Sequence, residues 1–114
     1  MHELGICDAL LKMLRNVAEE EQLQNVQSIT VEVGTLSGVV PRFLSDCWQA
    51  VIDGTEFAAV DMIVETVEGE AQCIECGERF VADLERLRCP NCGGNKLTPV
   101  SGTDLTLKEI LDAN

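Results

Sequence analysis

The sequence predicts an α+β protein: a small mixed or antiparallel three-stranded sheet covered by two helices, with an inserted zinc-ribbon domain. Three observations predict it. Two stretches carry apolar residues at three- and four-residue steps, short β-branched runs separate and follow them, and four cysteines occupy one segment as two C-x-x-C pairs.

Leu4 to Glu21 reads as the first helix, because Cys7, Leu10, Leu11, Leu14, Val17 and Ala18 form one apolar stripe. Ser28 to Gly34 alternates, with Ile29, Val31 and Val33 on one side and Ser28, Thr30 and Glu32 on the other, as in a strand with one wet face. A Gly/Ser-containing loop follows. Pro41 then suits the first turn of a second helix striped by Leu44, Cys47, Trp48 and Val51, which ends near Asp53-Gly54. Val60 to Val67 is β-branched and reads as a strand ending before Gly69. Leu105 to Leu111 reads as the last strand, with Leu105, Leu107 and Leu111 at two-residue steps, although Leu107, Ile110 and Leu111 would also suit a short helix. The expected division is an α/β unit of residues 1–69 plus 103–114 and an inserted unit of residues 70–102. Cys7 and Cys47 lie on helix stripes and read as small core residues.

Cys73-Ile74-Glu75-Cys76 and Cys89-Pro90-Asn91-Cys92 carry the strongest chemical signal. Two residues between cysteines let a tight turn aim both sulfurs at one point, and two such turns supply the tetrahedral thiolate set that suits Zn²⁺. Gly77 and Gly93 follow the second cysteine of each pair and permit positive φ, which would fold backbone N–H groups back toward the thiolates. Rubredoxin-like iron fits the same spacing; a thioredoxin-like redox pair fits less well, because both pairs would have to act separately. Four thiolates leave the metal no open position, so the ion is structural. An insert of this size cannot build its own core, and metal binding, roughly 10–16 kcal/mol in small zinc modules, would supply most of its folding energy.

Composition bounds the function. Lys and Arg number 8 against 20 Asp and Glu, a formal charge of -12. Such a chain repels nucleic acid and anionic lipid and favours cations or basic partners. No apolar run is long enough to cross a bilayer, and Met1-His2-Glu3 does not open a signal peptide. Membrane insertion is not expected. The expectation is a cytoplasmic protein whose six cysteines are not a disulfide framework. No nucleophile–base pair, phosphate loop or paired carboxylates stand out, so a non-enzyme is expected.

The one histidine is His2. The α-amine of Met1, the backbone amide nitrogen of His2 and its imidazole can close two chelate rings on one ion, a planar nitrogen set that suits Ni²⁺ or Cu²⁺. An idle terminal residue is the competing reading, and the chemistry alone leaves both open. Glu3 suits a helix start, where negative charge offsets the dipole, and adds a carboxylate near the same place.

Met1-His2-Glu3 before an amphipathic helix, Val33-Gly34-Thr35-Leu36-Ser37-Gly38-Val39, and the two C-x-x-C pairs together resemble the HypA/HybF family of hydrogenase maturation factors over nearly the whole chain. The resemblance implies a nickel metallochaperone that helps deliver Ni²⁺ to the large subunit of [NiFe]-hydrogenase with a maturation GTPase as partner, and in some organisms serves urease. It makes His2 the nickel ligand, with Met1 and Glu3 beside it, and Cys73, Cys76, Cys89 and Cys92 the zinc ligands. Some relatives carry an acidic residue before the second helix; here Val39, Val40 and Pro41 stand there, so that loop offers nickel no carboxylate. A zinc-ribbon module binding protein or nucleic acid is the alternative, with the acidic charge weighing against nucleic acid.

Overall fold

The computed structural model describes residues 2–113, with His2 described as backbone only. Helix α1 (His2–Glu20) leads into strand β1 (Val26–Gly34), helix α2 (Pro41–Ile52), strand β2 (Asp61–Val67) and, at the end, strand β6 (Leu105–Asp112). Between the last two lie the short strands β3 (Glu70–Cys73), β4 (Arg79–Val81) and β5 (Leu97–Pro99). The strands form two three-stranded sheets, ordered β2-β1-β6 and β4-β3-β5. The first sheet is mixed, because β1 runs parallel to β2 and antiparallel to β6. A parallel partner requires a crossover connection, and α2 is that crossover.

Both helices lie against the first sheet's inner face. Cys7, Leu10, Leu11, Leu14 and Ala18 of α1, Leu44, Trp48 and Ile52 of α2, and Ile29, Val31 and Val33 of β1 form one buried cluster. The apolar stripes therefore mark the buried sides, with Val17, Cys47 and Val51 only partly covered at their margins. Phe57 and Val60, in the turns after α2, join the same core. The Trp48 indole donates to the Val60 carbonyl at 2.9 Å and fixes those turns. Val60 also donates to Phe57 at 3.0 Å, so the strand expected from Val60 begins one residue later.

Two expectations about the strands need correction. Ser28 and Thr30 fall on the outer face of the sheet but are nearly buried, because β1 is the central strand and its neighbours shield it from both sides. In β6 the register shifts opposite Thr30/Val31. Leu105, Leu107 and Ile110 pack against the core, whereas Leu111, read as sharing their face, pairs with Ser28 and is half exposed. A bulge adds one residue and reverses the alternation beyond it.

The insert that carries the second sheet has almost no apolar interior: Ala71, Cys73 and Cys89 are the buried residues of 70–102. It makes the molecule long, 54 × 25 × 17 Å, with a radius of gyration of 17.4 Å where a single ball of this length would have about 13 Å. The chain leaves the first sheet through Gly69 and returns through Gly102. A side chain at Gly102 would collide with the Gly69 backbone, and one at Gly34 with the Gly102 carbonyl. The three glycines let three backbone segments touch at the base of the insert, where Leu36 donates to Gly102 at 2.8 Å and Gly69 to the Thr35 hydroxyl at 2.9 Å.

Candidate metal centres

The four cysteines of the insert converge. One sulfur from each of Cys73, Cys76, Cys89 and Cys92 lies within 4.8 Å of every other. Cys73 and Cys92 sulfurs are 3.6 Å apart, and those of Cys76 and Cys89 are 3.5 Å apart. Sulfurs around a tetrahedral zinc at about 2.3 Å stand about 3.8 Å from one another, so this donor set fits one zinc-sized ion. Cys73 ends β3, and its turn closes with Gly77 donating to the Cys73 carbonyl at 2.9 Å; Gly93 repeats this on Cys89 at 2.9 Å. Both glycines have positive φ, 80° and 75°. Their amides reach carbonyls rather than sulfurs. The backbone amides of Asn91 and Cys92 reach the Cys89 sulfur, at 3.4 and 3.5 Å.

These thiols hold their protons unequally. The Asn91 side chain, 3.6 Å away, holds the Cys76 thiol down at about 7. The Gly94 amide pulls Cys92 the same way, but the neighbouring sulfurs, Cys73 first, push it up to about 12. Such a cluster binds a divalent ion with release of those protons.

The N-terminal candidates fall differently. Met1 and the His2 side chain lie outside the described residues. The backbone of His2 already belongs to α1, two residues before the expected start. Glu3 is buried, at 8% exposure, and its carboxylate accepts a hydrogen bond from the Val40 amide at 3.3 Å. The sequence placed Glu3 correctly at a helix start; its long-range partner, 37 residues away, had no local signal. One turn further along α1, the Cys7 thiol donates to the Leu44 carbonyl of α2 at 3.3 Å. The N-terminal ends of the two helices are thus joined twice. Among the described residues no buried side-chain nitrogen or oxygen lacks a partner. Nor, among them, is any helix long and apolar enough to cross a membrane.

Comparison with known proteins gives these centres a context. The family model described as hydrogenase/urease nickel incorporation, metallochaperone, hypA matches residues 1–111. The hydrogenase maturation factor HypA of Prosthecochloris aestuarii is 36% identical over 110 residues, covering 96% of this chain and 97% of that protein. The HypA of Streptomyces avermitilis is 32% identical over 112 residues, covering 96% and 86%. The solution structure of the Ni metallochaperone HypA from Helicobacter pylori has the same fold, with a TM-score of 0.67 at 14% identity, covering 96% of each chain. Matched from end to end in sequence and in fold, the chain belongs to the HypA family of nickel-incorporation metallochaperones for hydrogenase maturation.

Proposed function

We propose that this chain binds Ni²⁺ at its N-terminus through Met1, His2 and Glu3 and helps insert it into the large subunit of [NiFe]-hydrogenase, working in the cytoplasm with a maturation GTPase. Cys73, Cys76, Cys89 and Cys92 hold a structural Zn²⁺. The chain is not an enzyme, and any nucleotide hydrolysis belongs to its partner. Residues 1–69 plus 103–114 form the nickel unit and residues 70–102 the zinc unit.

The observation that carries the nickel reading is the start of α1 at His2. The first four amides of a helix have no carbonyl partner within it. The His2 and Glu3 amide nitrogens are therefore spared by the helix and remain available to a metal beside the terminal amine. A terminal helix turn repels a bare cation through its dipole. An ionised amide supplies negative charge that offsets this. Leu4, Val40 and Phe43 are exposed beside this turn and offer a receiving protein an apolar surface. Such ligands are few and near solvent, and protonation of amine, imidazole and amide promotes release as pH falls.

Zinc supplies the insert with a closed cross-link between its two turns. The four cysteines leave no vacant coordination position, which makes it a support for the fold rather than the ion that is delivered.

Nickel titration of untagged protein beside His2→Ala tests the proposal. The variant is expected to lose most of its affinity. Equal binding by both proteins would place the nickel elsewhere.

A further inference from the structure

Among the described residues, Glu3 is the one charged side chain in the buried class. Burying a carboxylate is costly unless hydrogen bonds compensate it. One compensating donor is the Val40 amide, at the entrance to α2. That entrance lacks local support: Val40 is the residue before the helix, no side chain caps the first turn, and the turn contains no acidic residue. Pro41, the first helical residue, has no N–H to offer. The loop contributes no carboxylate of its own, so Glu3 brings one across from α1. There it accepts from the last amide before Pro41 and offsets the positive end of the α2 dipole. The Cys7–Leu44 bond ties the same two helix starts one turn later.

We propose that the Glu3 carboxylate is a positioning group for the nickel site: by docking the first turn of α1 on the start of α2, it holds the terminal nitrogens in place without itself ligating the metal. This rests on the reading that nickel binds at the N-terminus. Helix ends fray unless they are tied down. A frayed first turn would have to be ordered again each time the chelate closes. Held by Glu3, the His2 and Glu3 backbone is already fixed when the ion arrives, which raises affinity by removing that ordering cost. The division of labour within residue 3 follows: its amide nitrogen faces the metal site, and its side chain faces α2.

The experiment is nickel titration of the untagged, zinc-loaded full chain, followed by the ligand-field absorption of bound Ni²⁺, for wild type, Glu3→Gln, Glu3→Ala, Val40→Pro and His2→Ala. Glutamine keeps an acceptor oxygen for the Val40 amide, so Glu3→Gln should bind within about two-fold of wild type with the same spectrum. Glu3→Ala should bind about ten-fold more weakly, the scale of one charge-assisted hydrogen bond, again with the spectrum unchanged. Val40→Pro deletes the donor while leaving Glu3 intact and should shift affinity in the same direction. A changed spectrum in Glu3→Gln with a loss as large as that of Glu3→Ala would make the carboxylate a ligand and overturn the proposal. Wild-type affinity in both Glu3→Ala and Val40→Pro would also overturn it, whatever happened to their melting temperatures. Should Glu3→Ala fail to fold, Glu3→Gln and Val40→Pro decide the question by the same criteria. Undiminished binding by His2→Ala would instead remove the terminal site itself, an outcome legible separately from the Glu3 series.

Discussion

Cys7 is wholly buried on the inner side of α1, and burial pushes its thiol from an ordinary 9.0 up to about 12, with Cys47 and Glu3 adding in the same direction. It is therefore a neutral donor to the Leu44 carbonyl at any physiological pH. The raised value links it to stability on the alkaline side. Below about pH 9 the thiol is protonated in folded and unfolded chains alike, and its contribution is complete. Above that the unfolded chain loses the proton first, so stability falls as pH rises toward 12. Cys7→Ala should lower stability at pH 7 by leaving a small cavity, but show a shallower decline between pH 9 and 12 in urea titrations. An unchanged slope would mean that Cys7 does not govern that limb. Arg15 and Glu56 act in the opposite pH range. Two hydrogen bonds of 2.9 and 3.0 Å hold the Glu56 carboxyl below its usual range, but both groups are exposed. Any contribution is present above the unfolded pKa, is lost as acid protonates Glu56, and is screened by salt.

Among the elements, the junction of β1, β2 and β6 with the insert is the least forgiving. Gly102 has φ +72 and its Cα faces the Gly69 backbone; Gly54 has φ +75 but open space around it. Alanine at either position meets the same backbone strain, and only at position 102 does it also collide with backbone that cannot rotate away. Gly102→Ala should cost about 2–3 kcal/mol and Gly54→Ala about 1 kcal/mol, compared by chemical denaturation. Equal costs would show that the close packing at the base of the insert contributes nothing. The helices and the strands of the first sheet were legible because each turns one apolar side to the core, and a one-sided apolar face leaves a period in the sequence even where, as in β1, the other face is covered too. The strands β3, β4 and β5 left no such trace. They bury little beyond Ala71 and the cysteines, so the apolar alternation that marks a strand is missing. Leu111 shows the other limit: a bulge reversed its face without altering the spacing that had suggested it.

At the scale of the whole molecule, charge and stability divide along the long axis. Residues 70–102 hold four of the chain's 8 basic residues but only five of its 20 acidic ones, so the negative charge that attracts cations is concentrated on the nickel-binding unit we propose. That unit also holds the large buried cluster, which includes the fully buried Trp48. The insert has four converging cysteines and almost no apolar core, so the zinc we propose there would stand in for one. Removing zinc with a strong chelator, or replacing Cys73 by Ser, should disorder residues 70–102 while Trp48 keeps its buried fluorescence and the helical circular dichroism persists. A red shift of Trp48 on chelation would show that the two units do not fold separately. The single tryptophan makes the readout unambiguous.

The sequence by itself determined the α+β class, the order of the main elements, the cysteine tetrad and the family. These rest on local spacing: an apolar period follows from which side is buried, and two C-x-x-C turns converge because each turn already aims its own pair. Only the tertiary structure decided what Glu3 does. Its partner is a backbone amide 37 residues away, and a backbone amide is the same in every residue but proline, so nothing in the sequence marks it. The three-glycine contact and the near-burial of Ser28 and Thr30 are of the same kind. They depend on which segments the fold brings together, and that is settled only when the core closes.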